Sequence, residues 1–76
     1  MLVLAEFVLR QIKGEFNGFK DEKTIFEMQS GSKWQQAEYK YNYHYAFMPK
    51  AKIIEELGNY YIQVDSMNDK VLVKKL

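Results

Sequence analysis

The segment from Lys33 to Pro49 reads Lys-Trp-Gln-Gln-Ala-Glu-Tyr-Lys-Tyr-Asn-Tyr-His-Tyr-Ala-Phe-Met-Pro, and its alternation decides the fold. Tyrosine occupies every second position from Tyr39 to Tyr45, and Phe47 extends the series. A repeat of two is the period of a β-strand, in which successive side chains point to opposite faces. The segment therefore predicts an aromatic face and an opposite, mostly polar face. The opposite face carries Trp34, Gln36, Glu38, Lys40, Asn42, His44 and Ala46.

This segment is too long to lie flat in a small domain. Fifteen residues from Lys33 to Phe47 would span roughly 50 Å when fully extended. We therefore expect a bend between Ala37 and Lys40, so that the segment serves as two strands or as one strand shared between two sheets. Pro49 is predicted to end it, because proline cannot donate to a central ladder.

Size and composition predict one small domain that needs additional stabilisation. A chain of 76 residues buries only about 60% of the surface that its unfolded chain exposes. It contains no cysteine, and its single histidine is too few for a typical structural zinc site. The chain is 47% hydrophobic and 16% aromatic, which is rich for so small an interior. We therefore expect self-association, with no metal and no cofactor.

Charge and hydropathy narrow the class of protein. The chain has 11 Lys and Arg against 10 Asp and Glu, for a formal net charge of +1, so it lacks the basic excess of a protein held mainly by phosphate contacts. Its longest apolar run, Met1 to Ala5, has neither the length of a membrane span nor the pattern of a signal peptide. The expectation is a cytoplasmic protein with no membrane association.

The N-terminal segment predicts a short helix. Leu4, Val8 and Ile12 recur every four positions, which places them on one helical face, and Gly14 offers a helix end. The alternative is a strand, because several residues of the segment are also good sheet formers. We take the helix as the prediction for residues 1–13.

The remainder of the chain predicts a barrel of short strands. Thr24 to Glu38 alternates around a glycine turn and predicts an antiparallel hairpin. Gly58-Asn59 predicts a two-residue type II′ loop between strands, and Ser66 to Asp69 a further turn before a last strand over Lys70 to Leu76. The predicted fold is mainly β: a small SH3-like barrel of five or six antiparallel strands with a short N-terminal helix. The predicted organisation is a single domain, 1–76, with the helix over 1–13 and the barrel over 14–76.

The order of these motifs resembles a known family. The resemblance is carried by Gly14-x-Phe16-x-Gly18-Phe19, Thr24-Ile25-Phe26, the Gly31 turn, Trp34-x-Gln36 and Tyr39-x-Tyr41-x-Tyr43-x-Tyr45-Ala46-x-x-Pro49. Together they resemble a family of small, functionally uncharacterised bacterial domains, found alone or appended to other proteins and including cargo of mobile elements. The resemblance implies a compact SH3-like β-barrel and brings no activity with it.

The tyrosine repeat has several functional interpretations. Rigid amphipathic rings on a sheet face can anchor a peptide or stack on bases. The same rings can cover a core or close an interface between protomers. Five rings are more than the core can hold beside its aliphatic residues, so core combined with a homo-oligomer interface is the first interpretation and a surface for another partner the second. The candidate binding residues are Trp34, Gln36, Tyr39, Tyr41, Tyr43, His44 and Tyr45.

The polar face is interpreted as solvated, with a ligand groove as the alternative. His44 could act as an acid or a base, but a lone histidine among tyrosines is more commonly a hydrogen-bonded structural residue. The serines fall in predicted turns with nothing tying them to His44, and Glu55 and Glu56 are adjacent, so they would face opposite ways on a strand. No catalytic residue is predicted.

These observations predict a non-enzymatic, self-associating interaction module that presents an aromatic surface to a protein partner. The alternative is a nucleic-acid-binding accessory protein with stacked tyrosines. In that case Lys40 and the C-terminal lysines, Lys70, Lys74 and Lys75, would contact phosphates. The other explanation for the C-terminal lysines is protection of a strand edge against aggregation.

Overall fold

A computed structural model of the protein describes residues 5–65 and 67–76, with side chains from Arg10 onward. Strands account for the regular secondary structure of these residues. The strands are β1 (Ala5–Gln11), β2 (Glu15–Phe16), β3 (Ile25–Glu27), β4 (Lys33–Gln36), β5 (Ala46–Phe47), β6 (Lys50–Glu56), β7 (Asn59–Val64) and β8 (Lys70–Lys75). The predicted mainly β class is confirmed.

The strands form a curled antiparallel sheet and a small accessory pair. The large sheet has the order β1-β6-β7-β8-β4-β3, and β2 pairs with β5. Just beyond β1, Ile12 forms an isolated bridge with Met28, and the Lys13 amide donates to the Glu27 carbonyl at 2.9 Å. The two ends of the large sheet therefore meet there, which closes one side of a half-barrel.

The predicted N-terminal helix is wrong where the structure describes it. Residues Ala5 to Gln11 form β1, which pairs in register with β6 from Ala5 opposite Glu56 to Gln11 opposite Lys50. A helix this short is marginal in isolation, whereas the strand satisfies its backbone against a partner that lies 39 to 51 residues away in the chain, from Gln11↔Lys50 to Ala5↔Glu56. The first four residues of the predicted helix lie outside the described part. Among the described residues, no helix has the length and apolar character needed to cross a membrane.

The core lies on the concave face of the large sheet. Three phenylalanines from β2, β3 and the segment between them pack together, with ring centroids 5.9–6.1 Å apart, a separation typical of favourable aromatic pairs. Alternate residues of the long strands complete the core, as the period of two requires. The buried hydrophobic residues are Ile12, Phe16, Phe19, Phe26, Met28, Trp34, Ala51, Ile53, Ile62, Val64, Met67, Val71 and Val73.

The predicted bend of the Lys33–Phe47 segment is confirmed. Its beginning is β4, in the large sheet, and its end is β5, in the accessory pair. Between them, residues 37–45 cross from one sheet to the other, and Pro49 directly precedes β6. The segment therefore serves two strands, as its length required.

The loop between β6 and β7 differs by one residue from the prediction. Glu56 pairs with Asn59, so the loop residues are Leu57 and Gly58, with φ of 51° and 83°. Two positive φ values indicate a type I′ turn and not the predicted type II′ turn. In the predicted turn after β7, Ser66 lies outside the described residues.

Leu57→Asn is expected to raise the free energy of unfolding by about 0.5–1 kcal/mol. Asparagine adopts a positive φ at lower cost than leucine, and Leu57 is 93% exposed, so little burial is lost. Urea unfolding measures the change. Leu57→Ala is the control, because it also removes the exposed leucine side chain but leaves a residue that adopts a positive φ at the same cost. Equal stability of the two variants would show that the turn conformation is not the cause.

Candidate functional site

A row of exposed aromatic rings lies on residues 37–47, where the chain crosses between the two sheets. The exposed fractions are 70% for Tyr39, 66% for Tyr41, 63% for Tyr43, 51% for Tyr45 and 66% for Phe47. We call these five residues the tyrosine ladder. The intervening residues are at most half exposed, so burial alternates with the period of an extended chain. The rings thus project from the chain and do not form its core.

The polar face is turned toward the body of the protein, and its interpretation as a solvated face is wrong for Gln36. Gln36 is completely buried. Its Oε1 accepts from the Lys20 amide at 3.1 Å, and its Nε2 donates to the carbonyls of Glu38 and Lys40 at 2.9 and 3.1 Å. A buried amide whose polar atoms are satisfied in this way is stable in an interior. Gln36 therefore holds the start of the crossing segment against the body of the protein.

Further side chains of the polar face bind the segment to β8. The Leu72 amide donates to Glu38 Oε2 at 2.7 Å, and the Ala37 amide donates to the Leu72 carbonyl at 2.7 Å. Lys40 Nζ donates to the Lys70 carbonyl at 2.8 Å. These bonds extend the attachment beyond the last residue of β4.

The middle of the segment is held by backbone contacts with the Gly18–Phe19 region. Phe19 and Asn42 exchange backbone hydrogen bonds of 3.0 and 2.9 Å, and Asn42 Nδ2 donates to Asp69 Oδ2 at 3.0 Å. Gly18 has a φ of 92°, and a β-carbon built there would lie 2.1 Å from the Asn42 carbonyl oxygen. Only glycine permits this approach. Because the inward face is fastened along its length, the rings on the outward face are displayed on a rigid support.

The sequence-predicted site residues divide between surface and interior. Tyr39, Tyr41, Tyr43 and Tyr45 come together on the ladder, as their spacing predicts. Trp34 belongs to the core, where its ring lies 5.3 Å from that of Tyr60, and Gln36 is internal. His44 is half buried on the inward face. Phe47 was not among the candidate binding residues, although it continues the every-second-residue spacing of the tyrosines and so lies on the same face.

The ladder is large for a surface feature of so small a protein. At roughly 150–250 Å² per aromatic residue, the exposed fractions correspond to about 500–800 Å² of surface, against a total of 5190 Å² for the chain. The largest apolar patch of a typical monomer covers about 300–600 Å², and each side of a standard protein interface about 800 Å². The ladder therefore has the area of a macromolecular contact.

The described residues also carry metal-ligating and hydroxyl side chains. Within the described residues, no group of three or more His, Asp or Glu side chains is arranged to hold a metal ion. Ser30 and Ser32 contact each other through their hydroxyls at 3.1 Å in the β3–β4 turn. The ladder offers a large area for aromatic contacts.

Comparisons with protein-family models, with curated proteins and with solved structures find no match to this chain. The functional argument therefore rests on the geometry of the ladder and its support.

Proposed function

We propose that this protein is a small, non-enzymatic interaction module that self-associates and presents the tyrosine ladder to a protein partner. The observation that carries the proposal is the exposure of five aromatic side chains, each between 51% and 70%, on a segment whose other face is fixed by hydrogen bonds. Tyrosine offers large contact area at low entropic cost, and the fixed backbone lowers that cost further.

Two finer features belong to the same proposal. The bridge between Ile12 and Met28 brings the two ends of the large sheet together. This supports the proposal that the half-barrel is of the SH3-like type. Self-association is supported by the small size of the domain and by the absence of cysteine from its sequence, because domains of this size commonly depend on such help.

A peptide-binding experiment tests the ladder. Peptides selected from a displayed random library against the folded protein are expected to bind at least tenfold more weakly to a Tyr41→Ser/Tyr43→Ser variant, a loss of about 1.4 kcal/mol or more. Both rings are more than half exposed, so the substitutions leave the core unchanged. Fluorescence anisotropy of the labelled peptides measures the affinity.

Leu76→Ser is the matched control, because Leu76 is 57% exposed and lies outside the ladder. It should bind the selected peptides as the wild type does. Peptides that bind the double tyrosine variant unchanged would contradict the proposal, since the contact would then lie elsewhere on the protein.

Nucleic acid is the alternative ligand, with the tyrosines stacked on bases and lysines on phosphates. Two observations weigh against it: the formal net charge is +1, and Lys40 belongs to the inward face, where it bonds to the Lys70 carbonyl. The same anisotropy measurement with labelled oligo(dT) separates the two functions. Binding that weakens steeply between about 20 and about 200 mM salt, and that the double variant loses, would favour nucleic acid.

A further inference from the structure

Strand β1 forms one edge of the large sheet. It pairs along its length with β6, and the sheet order begins with it. Its far end approaches β3 through the Ile12–Met28 bridge. No segment among the described residues pairs with the outer side of Ala5–Leu9.

The hydrogen bonds around the end of β1 show which residues face outward. The Ile12 amide donates to the Pro49 carbonyl at 2.9 Å, on the β6 side. On the opposite side, the Gln11 carbonyl accepts from the Gln29 amide at 2.9 Å. Backbone groups alternate between the two sides of an antiparallel strand. The amides and carbonyls of Ala5, Phe7 and Leu9 therefore point away from β6.

This edge lacks the usual protection against strand pairing. Exposed edges are commonly shielded by lysine, by proline, by bulges or by very short strands. The Ala5–Leu9 sequence has a single charged residue, Glu6, and contains no lysine, proline or glycine. The register with β6 is continuous from Ala5 to Gln11, without a bulge. The opposite edge strand, β3, has three residues and joins the closure at Met28.

We propose that β1 pairs antiparallel with β1 of a second copy across a two-fold axis, so that the two large sheets become continuous. The proposal rests on the self-association proposed for this protein and assigns it to the strand edge, which leaves the tyrosine ladder available to a different partner. An antiparallel strand pair is self-complementary under two-fold symmetry, so one edge supplies both halves of the interface.

The outward groups select the register. With the axis at Phe7, Phe7 stands opposite Phe7 of the second copy, and Ala5 stands opposite Leu9. Every outward-facing residue of Ala5–Leu9 is then paired. Two hydrogen bonds per pair give about six across the interface. With the axis at Val8, Ala5 would stand opposite Gln11, whose carbonyl already accepts from Gln29.

Single-cysteine variants test the register, because the natural sequence contains no cysteine. Residues directly opposite in a hydrogen-bonded pair have Cα atoms about 5.5 Å apart, within the range that a disulfide spans. Phe7→Cys is expected to form a disulfide-linked dimer in a glutathione redox buffer, read on a non-reducing gel. Phe7 stands opposite Ile54 of β6, which is not a member of the buried core cluster.

Tyr43→Cys is the matched control, because Tyr43 lies at the centre of the ladder. It should remain unlinked if the strand edge forms the dimer. Linkage of Tyr43→Cys without linkage of Phe7→Cys would overturn the edge proposal and move the interface to the ladder, while self-association would stand. Stronger linkage of Val8→Cys than of Phe7→Cys would overturn the proposed register.

Light scattering of the wild-type protein separates this proposal from the one on which it rests. We expect a mass about twice that of the 9.1 kDa chain at high micromolar concentration, and at least a tenfold weaker dimer for Leu9→Pro, whose missing amide faces the second copy. A monomeric wild type would overturn self-association itself. A dimeric wild type with an equally stable Leu9→Pro dimer would overturn only the edge pairing.

Discussion

Gly18→Ala is expected to lower the free energy of unfolding by about 3–5 kcal/mol, a large part of the roughly 5–15 kcal/mol that keeps an ordinary domain folded. A β-carbon at this position would lie 2.1 Å from the Asn42 carbonyl oxygen, 2.7 Å from the His44 nitrogen and 2.9 Å from the Tyr43 Cα. All three atoms are backbone, so no side-chain rotation relieves the overlap. The crossing segment would have to leave the Gly18–Phe19 region. Chemical denaturation followed by Trp34 fluorescence measures the loss.

Gly31→Ala isolates the steric part of that effect. Gly31 has nearly the same φ, 93° against 92° for Gly18, but a β-carbon there meets nothing within 4 Å. Its substitution should cost about 1–2 kcal/mol for the backbone conformation alone. If the two alanine variants are equally destabilised, close packing of the crossing segment against Gly18 is not what holds it.

Gln36→Leu is expected to cost about 2–4 kcal/mol, because it leaves the Lys20 amide and the carbonyls of Glu38 and Lys40 without their partner. Leucine has a similar volume, so the loss is one of hydrogen bonding rather than of packing. The start of the crossing segment should loosen as well. Hydrogen exchange of the amides of residues 37–42 is expected to accelerate more than that of β6 and β7.

Gln35→Leu is the neighbouring control. The Gln35 side chain is half buried and donates to the exposed Glu22 carbonyl at 2.7 Å, which water can satisfy in its place. Its loss should cost less than about 1 kcal/mol. A Gln35 variant as unstable as the Gln36 variant would show that the buried amide does not organise the segment.

The same pair of variants links stability to the proposed function. If the ladder binds because its backbone is held rigid, a folded Gln36→Leu protein should bind the selected peptides more weakly than Gln35→Leu, although neither substitution touches a ladder ring. The two glutamines are adjacent in sequence and alternate in burial. The sequence shows that Gln35 and Gln36 lie on opposite faces, but it does not show that Gln36 is fully buried.

Local sequence patterns were sufficient for several features of the fold. The tyrosine repeat predicted a strand, and residues 37–45 keep its alternation of faces although they lie outside the strands β4 and β5. The length of the segment predicted its division between these two strands, and the hairpin of β3 and β4 followed from turn residues between alternating segments. The ladder residues were also predictable, because the period of two places alternate residues on one face. These features depend on neighbours in the chain, which a sequence displays directly.

Other features depended on partners distant in the chain. Residues Ala5–Gln11 carry patterns suited to a helix and to a strand, and pairing with β6 decided for the strand. The face that carries the tyrosines is the more aromatic of the two, yet it points outward. The reason is that the polar side chains between the rings form hydrogen bonds with the body of the protein, to the Leu72 amide, the Lys70 carbonyl and Asp69.

The sequence by itself thus determined the period and the set of residues that share a face. The tertiary structure alone decided which face points inward and which strand lies at the edge. The physical reason is that burial of a polar side chain is favourable only where specific backbone groups meet its hydrogen bonds. Those groups belong to strands assembled from separate parts of the chain, so their positions exist only once the fold has formed.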